Sequence, residues 1–409
     1  MDARFLAKAP IFASAALIGF LFLVNMWNFA VERDWPKLRI RSAEPLNGLD
    51  AEKPIPWRLD AFLSGETQHA VSSHLGRASP FFPMSVRLKN QLLYSFFGVS
   101  GAPNLTIGRD GELISSEYIK EFCARGAPPP QDKLDAWAGD IGEIGARAAA
   151  LGKSFVYLIS PSKPAYEPSW LPAGMSCPAL AHPQAAEKLA PFVAALAARG
   201  VPFLDAQALL REQRAHYPID LFPRGGIHWN LLGAALAMRE ITSKWSMQPA
   251  GSPIGDFAFD WRERDIATGT DKDLVELLNL FWSPVRYPTA SIERRGPAPT
   301  CPKTPRLLMV GSSFLRELIV VASQAPCPPT IDYWFYVQAE GRSELARYIT
   351  KPGEIGNGER VAADPAELAQ SLAEADAVVL EEIALNLSTT RQVGNLLSGA
   401  RAASVVKGD

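Results

Sequence analysis

Leu307-Leu308-Met309-Val310-Gly311-Ser312-Ser313-Phe314-Leu315 decides how the rest of the chain is read. Four consecutive apolar residues suit a strand buried on both faces. Gly311 permits a sharp turn, and the apolar pattern after the two serines predicts a helix over 314–323. A serine here stands at the carboxyl edge of a strand and at a helix N-terminus. Unpaired backbone N–H groups and the helix dipole at that place favour a developing oxyanion. The same position suits an ordinary helix-capping serine.

Outward from this unit, strands and helices alternate. Apolar runs at 155–159, 201–204, 331–337 and 377–380 read as strands. Leu134, Trp137, Ile141, Ile144 and Leu151 form the stripe of one helix, and Leu189, Phe192, Val193 and Leu196 that of another. Further helices are expected over 229–245 and 366–373. The pattern predicts an α/β fold, a parallel sheet with helices on both faces. Ligands of such sheets bind beyond the carboxyl ends of the strands. Two short strands around Arg109-Asp110-Gly111 precede the alternation, and residues 247–305 read as an irregular insertion. Ahead of them, 57–100 is helical with a break at 81–83. Leu88, Leu92 and Phe96 recur at helical spacing there and are expected to face a core.

A nucleophilic serine needs a base. The chain has five histidines, His69, His74, His182, His216 and His228. His228 stands apart, in a glycine-containing loop, Pro223-Arg224-Gly225-Gly226-Ile227-His228-Trp229-Asn230, that leads into a strong helix. Lys163 and Tyr166 follow the 155–159 strand and are expected to reach the same sheet edge. Lys163 there suits an acidic sugar or a carbonyl. Glu381 and Glu382 end the last strand, at the cleft rim or in solvent. Arg316 and Glu317 read as surface or supporting residues.

Several segments, in order, resemble the SGNH-hydrolase-like domain of the alginate O-acetyltransferase family. They are Ile107-Gly108-Arg109-Asp110-Gly111; Ile159-Ser160-Pro161-Ser162-Lys163 with Tyr166 and Leu171-Pro172; Val201-Pro202-Phe203-Leu204-Asp205; His228-Trp229 with Gly233-Ala234; Asp273-Leu274; and Gly311-Ser312-Ser313-Phe314. The resemblance runs from about 60 to 390. It implies Ser313 as nucleophile and His228 as base, in a permuted order with histidine before serine. Ser312 stands where the family motif has Asp. Gly226 stands where the family has the Asp that orients the imidazole, leaving Asp205, Asp220 and Asp273 as candidate acids. Lys163, Tyr166 and Ser312 are candidate substrate-binding residues. The implied activity is O-acetyl transfer to an exported polysaccharide through a serine acyl-enzyme. The implied donor is a membrane-bound O-acyltransferase partner. An acetyl esterase, or a catalytically impaired polysaccharide-binding or scaffold subunit, are the alternatives; the missing Asp at 226 is the argument for the last.

Ile11 to Val31 is uncharged and mostly apolar, about the length that crosses a hydrocarbon core. Arg4 and Lys8 precede it, which places the N-terminus in the cytoplasm and the remainder in the periplasm. The expectation is a single-pass inner-membrane anchor over 1–31, a linker over 32–56 and one domain over 57–409. Four cysteines, Cys123, Cys177, Cys301 and Cys327, suit an exported chain and allow three pairings. Cys301 and Cys327 bracket one strand-turn-helix unit, which favours 301–327 together with 123–177. No Cys/His spacing suggests a metal, and no cofactor is expected. The net charge of -2 carries no basic excess for nucleic acid.

Overall fold

The computed structural model describes residues 3–31, 44–49, 54–79, 81–124, 129–181, 188–297, 299–339, 342–352 and 356–405. Most of the expected linker, and His182, lie outside these. The chain divides into two compact units, 1–103 with 275–283, and 104–274 with 284–409.

The first unit is helical, with helices Ala3–Val31, Leu59–Leu63, Glu66–Ala78 and Phe82–Phe97. Among the described residues no helix is long and apolar enough to cross a membrane. The expected core stripe of the fourth helix is corrected: Leu88, Leu92 and Phe96 are all exposed, whereas Pro83 and Asn90 are buried. The reason is polar. Asn90 turns inward to donate 2.8 Å to the Leu278 carbonyl, and Gln91 accepts the amides of Phe281 and Trp282.

The second unit is built on a sheet of seven strands. The chain's strands are β1 (Leu105–Ile107), β2 (Leu113–Ser115), β3 (Ser154–Ser160), β4 (Phe203–Asp205), β5 (Phe259–Ile266) and β6 (Arg286–Arg294). They continue with β7 (Arg306–Gly311), β8 (Thr330–Ala339), β9 (Arg342–Thr350), β10 (Glu359–Arg360) and β11 (Ala377–Ile383). The sheet order is β10-β9-β8-β7-β11-β3-β4. The five strands from β8 to β4 are parallel, but β9 and β10 add antiparallel at one edge. The sheet is therefore mixed, not wholly parallel. Polar residues interrupt the apolar pattern of β9, which lies between β8 and the two-residue edge strand β10.

Side chains of the central strands alternate between two cores. On β7, Leu307 and Met309 face one, Leu308 and Val310 the other; on β3, Val156 and Leu158 oppose Phe155, Tyr157 and Ile159. Helices Leu231–Ser246 and Leu315–Ala322 cover the first face. Helices Gln131–Ala150, Pro365–Glu374 and Gln392–Val405 cover the second. Burial of each such aliphatic side chain stabilises by about 1.5–3 kcal/mol.

The insertion at 247–305 is more ordered than expected. β5 and β6 pair antiparallel within it, with a register shift between Arg264 and Ile266. Disulfides join Cys123 to Cys177 and Cys301 to Cys327, the favoured pairing.

Candidate active site

β7 delivers Ser313 to the carboxyl edge of the sheet. A side chain at 311 has no room, because its Cβ would lie 2.5 Å from Glu381 Oε2 and 2.9 Å from Leu315. The turn is then held from three sides. The Ser312 amide donates 2.6 Å to Glu381 Oε2, the Ser312 hydroxyl 3.1 Å to Oε1, and the Tyr333 hydroxyl 2.6 Å to the Ser312 carbonyl. The Phe314 amide is drawn to Ser312 Oγ at 3.3 Å. With its neighbours' amides committed, that of Ser313 is the turn's amide left for an oxyanion.

His228 meets this turn from the loop before helix Leu231–Ser246. Asn230 caps that helix, accepting from the Gly233 amide, and its own amide side chain grips the Asp220 carbonyl. The imidazole lies edge-on to Phe314, ring centroids 4.9 Å apart, and the Trp229 indole donates to the Phe314 carbonyl. His228 Nε2 is 2.8 Å from Ser313 Oγ and its Nδ1 is 2.8 Å from Asp273 Oδ2. Asp273 Oδ1 accepts the Ile227 amide at 2.9 Å, so one carboxylate fixes both the loop and the ring. This gives the tautomer a hydrolase-type triad needs, with Nδ1 protonated and Nε2 facing the serine.

Gly226 explains why the acid comes from elsewhere. A Cβ at 226 would stand 2.7 Å from both the Thr270 carbonyl and Pro223 Cγ. The segment carrying Asp273 passes through the space an Asp at 226 would need. The Leu274 amide also donates to the Gly225 carbonyl, tying the two segments together.

Of the three candidate acids, the structure brings only Asp273 to the histidine. Asp205 caps helix Ala206–Gln213 through the Ala208 amide, and Asp220 pairs with Arg214. Lys163 is corrected as a residue for an acidic sugar, since it is 1% exposed. Its ammonium donates to the carbonyls of Leu113, Pro223, Arg224 and Gly226 and pairs with Glu112 at 2.9 Å. Burial lowers its pKa, and Glu112 opposes that. It holds together the loop that carries His228. Tyr166 is likewise buried, its oxygen accepting from the Leu221 amide, and Ser312 is spent on Glu381; neither is free to touch a substrate.

Three carboxyls, two at the end of β11 and one on the helix after Ser313, are more deeply buried than expected. Glu381 and Glu382 are fully buried rather than at a rim or in solvent. Glu382 receives the Trp137 indole and the hydroxyls of Tyr157 and Thr390, while burial pushes the Glu381 carboxyl up to about 7. The legible signal was their position: two charges in a strand that pairs with β3 as far as Ile383. Glu317, one turn past Ser313, is 2% exposed. Burial raises its pKa, and burial likewise raises that of Asp271 to about 6 against a hydrogen bond from Thr289. For His228, burial opposes the charged form, but the Glu317 and Asp273 carboxylates outweigh it and raise the pKa. Among the described residues no cluster is arranged to hold a metal ion.

A family model described as the SGNH hydrolase-like domain of acetyltransferase AlgX matches residues 107–317, just over half of the chain. Among solved structures, the O-acetyltransferase domain of Pseudomonas putida AlgJ is 17% identical, with a TM-score of 0.45, over 72% of this chain and 99% of that one. Pseudomonas aeruginosa AlgX is 12% identical, with a TM-score of 0.44, over 72% of this chain and 66% of that one. Bacillus cereus PatB1 is 11% identical, with a TM-score of 0.41, over 69% and 97%. No curated protein matches significantly.

Proposed function

The chain belongs to the family of SGNH hydrolase-like domains of acetyltransferase AlgX, and we propose that it transfers acetyl groups to hydroxyls of an exported polysaccharide through an acyl-enzyme on Ser313. The observation that carries this is the pair of 2.8 Å hydrogen bonds linking Ser313, His228 and Asp273. Ser313 Oγ attacks the carbonyl carbon of an acetyl ester while His228 Nε2 takes its proton. The tetrahedral oxyanion accepts from the Ser313 amide. Collapse breaks the ester bond, and His228 returns the proton to the departing alkoxide. A sugar hydroxyl then attacks the acetyl-serine, His228 takes that proton and gives it to Ser313 Oγ. The Asp273 carboxylate, held on Nδ1, stabilises the imidazolium. The scaffold reading loses its support, because the acid absent at 226 is supplied by Asp273.

In this reading the chain sits at the inner membrane, anchored by a single span over Ile11–Val31, with the catalytic unit in the periplasm. The uncharged run behind Arg4 and Lys8, and the exposure of Ile11, Ile18, Phe22 and Leu23, support the anchor. Two disulfides suit an oxidising compartment. The acetyl donor is handed over by a membrane-bound O-acyltransferase partner, since one span cannot conduct an acyl group by itself.

The test is full-length protein in detergent micelles, wild type beside Ser313→Ala, given a chromogenic acetyl ester with and without oligosaccharide acceptors. Acetylated oligosaccharide formed by wild type alone is expected. Acetate released to water alone would make the protein an esterase. Equal background from both proteins would remove the serine from the chemistry.

A further inference from the structure

The helix Phe82–Phe97 turns an apolar side away from the rest of its unit. Met84, Leu88, Leu92 and Phe96 recur at every fourth residue, one above another on successive turns, and each is between 46% and 75% exposed. The inward side is spent on polar contacts, with Asn90 donating to the Leu278 carbonyl and Gln91 accepting the amides of Phe281 and Trp282. Those contacts bring Trp282, itself exposed, alongside the row. Trp57, in the same unit, is exposed as well. Single apolar residues at a surface are ordinary, whereas a continuous row of large ones marks an interaction surface.

Three observations say what covers it. The first is contact with the proposed anchor. Phe20, midway along the apolar run Ile11–Val31, has its ring centroid 5.8 Å from that of Phe81, the residue that caps the start of the helix. A side chain that touches the middle of a membrane span lies at or within the bilayer surface. The second is charge. The helix carries two charged side chains, Arg87 and Lys89, and both are basic. Arg87 is turned to the carbonyls of Glu44 and Pro45. Lys89 is exposed, between Leu88 and Leu92 in the chain. Its aliphatic stem lies along an apolar surface while the ammonium reaches for a phosphate. The third is the indoles, since tryptophan collects at the boundary between hydrocarbon and water, and Trp57 and Trp282 are each 76% exposed.

We propose that this helix face lies in the headgroup boundary of the bilayer that the anchor crosses, with Leu88, Leu92 and Phe96 in the acyl layer and Lys89 on a lipid phosphate. The inference rests on the membrane location proposed above and adds a second attachment to it. A single span leaves the unit free to tilt over the membrane; a second contact removes that freedom.

Spin labels test this on the full chain. The four cysteines are paired in disulfides, so a nitroxide attaches to an introduced thiol. Full-length Leu92→Cys and Phe96→Cys, with Ile18→Cys to read the anchor, are labelled and reconstituted in vesicles of phosphatidylethanolamine and phosphatidylglycerol. All three positions are exposed, so the label displaces no core side chain. The relaxation of each label is measured with oxygen, which concentrates in lipid, and with a nickel chelate, which stays in water. At 92 and 96 oxygen is expected to act at least threefold more strongly than the chelate, as at 18. Equal or reversed sensitivity at 92 and 96 would overturn the proposal; a lipid signal at 18 in the same vesicles would leave the anchor standing. Labels at 92 and 96 shielded from both reagents would also overturn it, and would make a protein the cover. A lipid signal at 92 and 96 with an aqueous one at 18 would support the face and remove the anchor.

Discussion

Asp273 reaches His228 from 45 residues further along the chain and holds its Nδ1 at 2.8 Å. The acid therefore arrives on a different segment from the one that carries the histidine. Asp273→Asn keeps the acceptor for the Ile227 amide but sets an amide group against Nδ1. The ring is then held in the wrong tautomer, and kcat is expected to fall on the order of 10³–10⁴-fold with little change in KM. Steady-state kinetics with a chromogenic ester measures it; a loss below tenfold would remove Asp273 from the mechanism.

The rate should fall on the acid side as His228 gains a proton, because only the neutral ring accepts one from Ser313. Its pKa is raised above the ordinary 6.5 against the effect of burial, by the carboxylates of Glu317 and Asp273. The acid limb of kcat/KM is thus expected above pH 6.5. Glu317→Gln removes one of these charges and should move the limb to lower pH, while a structural effect alone would lower the whole profile without shifting it.

Gly226→Ala forces its Cβ to within 2.7 Å of the Thr270 carbonyl unless the backbone yields. The yielding backbone carries Asp273, so at least a tenfold loss of kcat/KM is expected. Gly226→Asp places an acid two residues before the histidine, yet it should be worse than alanine because the space is taken. Recovery of wild-type activity by Gly226→Asp would contradict the geometry.

Lys163→Met removes a buried ammonium that gathers four carbonyls and leaves Glu112, 7% exposed, without that partner. Breaking a buried pair in this way costs roughly 3–5 kcal/mol. Denaturant unfolding should show that loss, together with reduced activity as the loop around His228 loosens.

Glu381 gives the fold a pH dependence of defined sign. Burial pushes its carboxyl from 4.5 up to about 7 in the folded chain. The folded state holds the proton where the unfolded state has lost it, so the stabilisation is complete below about 4.5 and disappears as pH rises through about 7. The span corresponds to roughly 3 kcal/mol. Glu381→Gln, which can still receive the Ser312 amide, should flatten the dependence of unfolding free energy between pH 5 and 8. An unchanged slope would assign the effect to other groups.

The local segments were readable because each depends on near neighbours. The apolar run at 307–310, the glycine and serines behind it, the histidine before its helix and the alternation of strands and helices all follow from short-range pattern and burial on both faces of a sheet. What pattern cannot carry is which distant segments meet. The strand β9 has too many polar residues to read as part of the sheet, and the stripe on Phe82–Phe97 points outward because Asn90 is drawn in by a hydrogen bond to Leu278. The choice among Asp205, Asp220 and Asp273, and the burial of Lys163, Glu317 and Glu381, are likewise matters of packing. Composition and periodicity decide where a chain wants to be apolar. Only the closed tertiary structure decides which charge is buried beside which, because that depends on the space left between segments, here the width of one missing Cβ at Gly226.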